Sequence, residues 1–370
     1  MLMVLIGTGP RPFRNAVLWK SDTEAEKLSF SRAYTLTLSP QIIYTKSKLL
    51  SQLVSSKVYK QLEFQAVGNW WIYDTSHTTK STQEQTGNLK RLPNGREDIF
   101  EDASIDNRSK RSLMKFLKFV VDYENLIEIW ENHAESSFSD FLTSQFKLPP
   151  NLQTVIIALT LSLDSPDKTM VGYALPRIAR HLTSIGVFGP GFGAVVPKWG
   201  GGAEIAQVAC RAGAVGGGVY VLGTGIKSSQ RNGEEVEVAL SNGETVKMIH
   251  LAPSPETEIE SSSDAKVVSK IIAVVSSPLT SLFESSIEGS PLAAVSVIVF
   301  APNALDIDGH TQTHPIYIMA HSSETGECPA GQCQYQTFPS ISILYALHDD
   351  PTIEYLSTLS DPLDDKSLTV

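Results

Sequence analysis

The sequence predicts an α/β (α+β) chain in which strand-forming segments flank a run of helices. Three observations carry this. The chain opens on VLIGTG, Val4 to Gly9, an apolar strand followed by a glycine turn. Between about residues 105 and 188 the apolar residues recur at the three- and four-residue spacing of helix faces. After the glycine-rich stretch near residue 200, β-branched runs read as buried strands. The 370 residues are 42% hydrophobic and 19% charged, the composition of an ordered globular chain with a sizeable core. That length accommodates about two or three domains.

The elements follow in chain order. VLIGTG has the look of the first strand and turn of a dinucleotide-binding unit, but that unit needs a third glycine and a helix straight after the turn. Here the third glycine is absent, and Pro10 and Pro12 interrupt the helix. Ser31 to Tyr44 reads as a strand and an extended turn. Ser47 to Val58 carries Leu49, Leu50, Leu53 and Val54 at helical spacing. Leu62 to Tyr73 is aromatic and alternating, as a strand is. Thr75 to Asn88 is polar and reads as a loop.

Four helices are expected next. Lys110 to Glu124 aligns Leu113, Phe116, Leu117, Val120 and Val121 on one stripe. Ser137 is placed to cap a helix carrying Phe138, Phe141, Leu142 and Phe146. Leu152 to Leu163 is apolar nearly all round, so buried. Met170 to Ile185 is the fourth, with Pro176 at a cost inside it. Beyond residue 200, Val236 to Leu240 and Thr245 to Leu251 flank SNGE, a hairpin turn. Thr257 to Asp264 reads as a solvated loop. Val267 to Val275, Ala293 to Phe300 and Ile316 to Ala320 are strands, and Asp361 to Val370 a frayed tail.

Charge and cysteine content narrow the function classes. A net charge of -10 argues against nucleic acid as the main partner, since phosphate binding needs clustered Lys and Arg. Three cysteines, Cys210, Cys328 and Cys333, are too few for a disulfide framework and suit a reducing compartment. No apolar run is long enough to span a membrane, and the N-terminus lacks the basic region of a signal peptide. The expected location is the cytosol, with transient visits to membranes. His310, His314, His321, Cys328 and Cys333 fall in one stretch, but their spacing matches no tight zinc pattern. Asp306 and Asp308 begin like a calcium loop that lacks its later carboxylates. No nucleophile elbow, Walker lysine or Ser-His-Asp order stands out. The expectation is therefore no catalytic residue, no cofactor and no metal.

The most informative stretch is PKWGGGAEIAQVACRAGAVGGGVYVL, Pro197 to Leu222. Glu204, Gln207 and Arg211 are three and four apart, so on a helix they form one polar stripe while Ile205, Val208 and Ala209 turn the other way. With its flanking glycines the block resembles the signature of the Rab escort protein and Rab GDP-dissociation inhibitor family. Trp199 stands where that family usually has tyrosine, and the glycine run is one residue longer. The resemblance extends through LSQLVSS, QLEFQAVGNWWIYD, KRSLMKFLKFVVDYE, PPNLQ and RHLTSIGVFGPGF. MKFLKFVVDYE and PIYIMAHSSETGECPAGQ bring it closer to the escort proteins, component A of Rab geranylgeranyltransferase, than to the inhibitors.

The resemblance implies a FAD/NAD(P)-binding-like, flavoprotein-type domain with a mixed sheet and an inserted all-helical domain. It divides the chain into a discontinuous sheet domain (1–104 and 189–360), a helical domain (105–188) and a flexible tail (361–370). It also implies a non-catalytic escort that uses no flavin, binds Rab GTPases in the GDP form and presents them to geranylgeranyltransferase type II. The prenylated Rab, with its geranylgeranyl lipid, is then delivered to membranes. By the same resemblance Glu204, Gln207 and Arg211 contact Rab, and Phe100 with Arg111 contacts the transferase. An aromatic anchor beside a forked guanidinium is a common hot-spot pair. Excess apolar residues in the helices, Val155, Ile156, Leu159, Leu163, Leu175 and Ile178, suggest shelter for the lipid. The chain departs from the family at its start, where roughly the first block, part of the Rab platform, is missing. The alternatives are a GDP-dissociation inhibitor that recycles prenylated Rabs and a flavin-dependent oxidoreductase on the same fold.

Overall fold

A computed structural model describes residues 3–6, 16–18, 28–74, 87–93, 103–252, 270–285, 287–307, 310–338 and 353–358. The chain groups into two compact units. The larger comprises Leu18–Glu204 and Ser269–Ser357; the smaller comprises Met1–Val17, Ile205–Val268 and Thr358–Val370. The strands are β1 (Met3–Ile6), β2 (Ala16–Leu18), β3 (Ile43–Tyr44), β4 (Phe64–Asp74), β5 (Asn88–Arg91), β6 (Ala194–Pro197), β7 (Val219–Leu222), β8 (Ile226–Asn232) and β9 (Glu235–Leu240). They continue with β10 (Thr245–Met248), β11 (Lys270–Val275), β12 (Val295–Phe300), β13 (Asp306–Ile307), β14 (His310–Thr311), β15 (Ile316–Ser322), β16 (Cys333–Phe338) and β17 (Ile353–Thr358). The α-helices are α1 (Lys48–Ser55), α2 (Asn107–Val121), α3 (Ile127–Trp130), α4 (Phe138–Phe146), α5 (Pro150–Ala158), α6 (Val171–Ser184) and α7 (Gly202–Val215).

The larger unit is built on a mixed sheet whose path runs β11-β16-β15-β12-β4-β6-β3, with β5 also on β4. β12 and β4 run parallel, with Val297 beside Trp70. The other pairs on this path are antiparallel. One face of the sheet buries Val67, Trp70, Ile72, Val295, Val297, Val299 and Met319. Alternation along β12 places its three valines on that face, as the two-residue period requires.

The helices between β5 and β6 have a core of their own. Leu113, Phe116 and Val120 of α2 meet Phe138, Phe141 and Leu142 of α4 and Leu175 and Ile178 of α6. Phe116 lies edge-on to Phe146 with ring centroids 5.3 Å apart, a favourable aromatic geometry. α2 starts at Asp106, whose Oδ1 accepts from the Arg108 and Ser109 N–H groups.

Several expectations change. The Ser137 side chain makes no capping hydrogen bond to α4. α5 stops at Ala158 instead of Leu163: Thr160 Oγ1 donates to the Ile157 carbonyl and Leu161 turns to a φ of 53°, outside the helix. Ser31 to Tyr44 forms no long strand. It holds a short 3-10 turn, Ser31–Ala33, and then irregular chain, bent at Leu38 and Ser39, up to β3. β5, β8 and β16 arise where no strand was expected. Thr75 to Asn88 falls almost wholly, and Thr257 to Asp264 and the tail fall entirely, outside the described residues.

In the smaller unit β1 pairs in parallel with β7. β8, β9 and β10 form an antiparallel meander. SNGE closes its second hairpin, with Gly243 at a φ of 90° and the Asn242 Oδ1 accepting from the Glu244 N–H. The broken helix at Pro10 and Pro12 lies outside the described residues.

The helical core sets one prediction. Phe116 is fully buried among aromatic partners. Phe116→Ala is expected to lower stability by about 3–5 kcal/mol, the range for aromatic truncation in a core. Val54→Ala, at a residue 60% exposed, should change it by no more than about 0.5 kcal/mol. Urea unfolding followed by circular dichroism measures both.

Candidate functional site

The predicted polar stripe sits on α7. Glu204, Gln207 and Arg211 share one helix face by their spacing. Gln207 and Arg211 are exposed and Glu204 is half-buried. No residue of α7 is buried: of Ile205, Val208 and Ala209, expected to turn away from the polar stripe, the first two are half-buried and Ala209 is exposed. The boundary between the two units falls inside this helix, after Glu204.

The approach to α7 is tightly built. Trp199 has a φ of 78°, a strained conformation for a bulky residue. Its N–H donates to the Thr325 carbonyl at 2.8 Å. Lys198 Nζ lies 4.6 Å from the indole centroid, within cation–π range. The indole covers Gly326, where an added Cβ would stand 2.3 Å from Trp199 Cε3. Gly326 also has a φ of 76°, so glycine is required there twice over.

Behind this turn lies a buried polar cluster that the sequence did not reveal. Glu327 on the loop after β15 accepts from Thr37 Oγ1 at 2.6 Å and from His321 Nδ1. Lys270 Nζ donates to the carbonyls of Thr37 and Leu38. Burial pushes the Lys270 ammonium down to about 7 against the opposing pull of Glu327. Burial would raise the Glu327 carboxyl, but hydrogen bonds from His321, Thr37 and Thr325 and the His321 charge outweigh it and hold it below its usual value.

The same stretch resolves the other candidates. His321 is committed to Glu327, and His314 is exposed and beside Thr313 Oγ1 at 2.9 Å. The His310 side chain and Asp308 lie outside the described residues. Cys328 and Cys333 are free thiols, each donating to a backbone carbonyl. Burial pushes them up to about 11 and about 12, which makes them poor nucleophiles. Among the described residues no three His, Cys, Asp or Glu side chains come together in a metal-holding group.

A second feature is a cavity of about 480 Å³ between the helices and the sheet of the larger unit. Leu113 and Leu117 of α2, Val155 and Leu159 around α5, and Trp70 of β4 make its apolar walls, with His181 of α6 among them. Its size suits a small ligand or lipid chain. Of the apolar residues singled out from the sequence, Val155, Ile156 and Leu159 line it. Leu175 and Ile178 are instead fully buried in the helical core, and Leu163 is 37% exposed. His181 packs edge-on to Trp70 and Tyr44, and its Nδ1 has no hydrogen-bond partner among the described residues. Arg111 projects exposed from α2, while Phe100 lies outside the described residues.

The family model described as GDP dissociation inhibitor matches residues 14–331. The chain belongs to the GDP dissociation inhibitor family. It is 34% identical over 328 residues to the Rab proteins geranylgeranyltransferase component A of Saccharomyces cerevisiae, covering 86% of this chain and 50% of that protein. The corresponding component A of Candida albicans is 28% identical over 86% of this chain and 48% of its own length. Rab escort protein 1 of Arabidopsis thaliana is 27% identical, over 92% of this chain and 61% of its own. The chain thus spans about half the length of the two fungal relatives. Among solved structures, a Rab GDI from Plasmodium falciparum superimposes with a TM-score of 0.63 at 16% identity, over 98% of this chain and 91% of that one. An oxidoreductase from Methanosarcina mazei gives 0.52 at 11% identity, over 97% and 87%. The fold is therefore the FAD-binding-like α/β fold with a mixed sheet and inserted helices.

His181 makes the cavity testable. Burial pushes its pKa from 6.5 down to about 4. Between those values the unfolded chain holds the extra proton and the folded chain does not, so stability falls as pH drops from 6.5 towards 4. The shift corresponds to roughly 3 kcal/mol at most. His181→Leu should flatten this part of the stability profile, measured by urea unfolding at successive pH values.

Proposed function

We propose that this member of the GDP dissociation inhibitor family is a non-catalytic Rab escort, acting in the cytosol. It binds GDP-bound Rab through Glu204, Gln207 and Arg211 and presents it to geranylgeranyltransferase type II. The reading is carried by the 34% identity to a protein named Rab geranylgeranyltransferase component A. It is supported by the exposure of Gln207 and Arg211 on one face of α7. No helix among the described residues is long and apolar enough to cross a membrane, which suits a carrier that visits membranes and does not span them. The proposed division keeps the sheet in residues 1–104 and 189–360 and the helices in 105–188.

The geranylgeranyl chain of prenylated Rab is assigned to the apolar cavity beside α2 and α5. Each buried methylene contributes about 0.8 kcal/mol, so even partial insertion adds appreciably to affinity. Equal affinity for prenylated and unprenylated Rab would remove the cavity from this role.

Arg211→Ala is expected to weaken GDP-Rab binding by about 2 kcal/mol, the scale of an interface hot spot. Titration calorimetry with a parallel thermal melt decides this, and unchanged affinity in a folded variant overturns it. Transferase binding separates an escort from a recycling inhibitor. Phe100→Ala should abolish most of it while leaving Rab binding intact, with a loss of about 2–3 kcal/mol if the ring is fully covered. Arg111→Ala should act in the same direction more weakly, and Arg111→Lys should not restore a bidentate contact. Co-precipitation of the transferase with each variant is the measurement.

A further inference from the structure

The segment Tyr34–Gln41 runs as a strap across the glycine turn that leads into α7. Among the described residues its backbone pairs with no strand, and its hydrogen bonds go elsewhere. The Thr35 N–H donates to the Glu327 carbonyl at 2.9 Å. The Thr37 hydroxyl donates to the Glu327 carboxylate at 2.6 Å. The carbonyls of Thr37 and Leu38 accept from the buried Lys270. Glu327 is only 2% exposed and is held in turn by His321.

The strap lies directly against the glycine run. A Cβ at Gly200 would meet Thr35 Cγ2 at 3.5 Å and Glu204 Oε1 at 3.3 Å. One at Gly201 would meet Thr37 Cγ2 at 3.2 Å, at a φ of 60° that already favours glycine. One at Gly202 would meet Gln41 Oε1 at 2.9 Å. Three successive glycines are thus each matched to a residue of the strap. The residue two before the run, Lys198, is followed by Trp199, which rests on the same loop that carries Glu327.

We propose that Glu327 is a positioning residue: by pinning Thr35 and Thr37 against the glycine run, it fixes where α7 begins and so where Glu204 stands for Rab. This rests on the reading of α7 as the Rab-binding helix. Glu327 need not touch Rab. Its carboxylate holds the hydroxyl of Thr37 with a charge-assisted hydrogen bond, and the methyl of Thr37 fills the space that only a glycine at 201 leaves open.

The test uses the full chain and GDP-loaded Rab, with affinity from titration calorimetry and a thermal melt for each variant. Thr37→Val keeps the methyl and loses the hydroxyl. It should weaken binding about fivefold or more, the scale of coupling through a positioned element, with the melting temperature close to the unmodified chain. Thr37→Ser keeps the hydroxyl and should bind nearly as well as the unmodified chain. Glu327→Gln should behave like Thr37→Val, and combined with Glu204→Ala it should add little to the loss that Glu204→Ala causes alone. If Glu327→Gln destabilises the fold, the Thr37 pair still decides. Glu204→Ala and Arg211→Ala serve as the check on the underlying reading. If they weaken binding while Thr37→Val and Glu327→Gln bind normally, or if Thr37→Ser loses as much as Thr37→Val, the positioning role is overturned. If Glu204→Ala and Arg211→Ala both bind normally, it is the assignment of α7 to Rab that fails.

Discussion

The larger unit depends on one strand. β4 is 11 residues long and holds three partners at once. Along one edge it runs parallel to β12 over Val67 to Ile72. Its other edge is shared: β6 takes the first half, from Phe64 to Val67, and β5 takes the second, from Trp71 to Asp74. The chain leaves for the helices from β5 and returns by β6, so the whole helical excursion begins and ends on one edge of one strand. This is why helices with an independent core still face the sheet across a shared space. Trp70, between the two halves, contributes to that space from below, and His181 meets it from above with ring centroids 4.8 Å apart.

The polar interior follows a different logic from the apolar one. The helical core is stabilised by area, with Phe116, Phe138 and Phe141 out of water. Glu327, His321, Lys270 and Thr37 are held by hydrogen bonds to one another, since a buried charge without partners is costly, and among the described residues only the His321 Nε2 of this group is left without a partner. The first kind of interior tolerates repacking of similar volume. The second is sensitive to the loss of a single hydroxyl, and that makes it suited to holding a turn in one position.

Much of this was legible in the sequence where local pattern decides structure. The stripe Leu113, Phe116, Val120 announced α2, and the alternating Val236, Val238, Leu240 announced β9. SNGE marked its turn, and the spacing of Glu204, Gln207 and Arg211 placed them on one face of a helix. The reading weakened where partners are distant. β16 buries Gln334, Gln336 and Thr337 together with Cys333, so polar residues fill its buried positions and hide the strand. β8 is exposed along its whole length and carries no apolar signal. The strap at Tyr34–Gln41 looked like a strand because its residues favour extended backbone, yet its partners are a lysine and a glutamate from beyond residue 269. Of the cavity, the sequence offered one wall, through the surplus apolar residues Val155, Ile156 and Leu159; the rest was hidden, since it exists only where helices from one stretch meet a sheet assembled from several.

Trp199 and Gly326 are far apart in the sequence and inseparable in space. The indole occupies the volume that any side chain at 326 would need. The glycine in turn supplies the flat backbone on which a ring in a strained conformation can rest. Neither position is free to drift alone. A larger residue at 326 would expel the ring, and a smaller one at 199 would uncover the backbone beneath it. A change at either position is therefore felt at the other, so the two residues act as one packing unit written in two places.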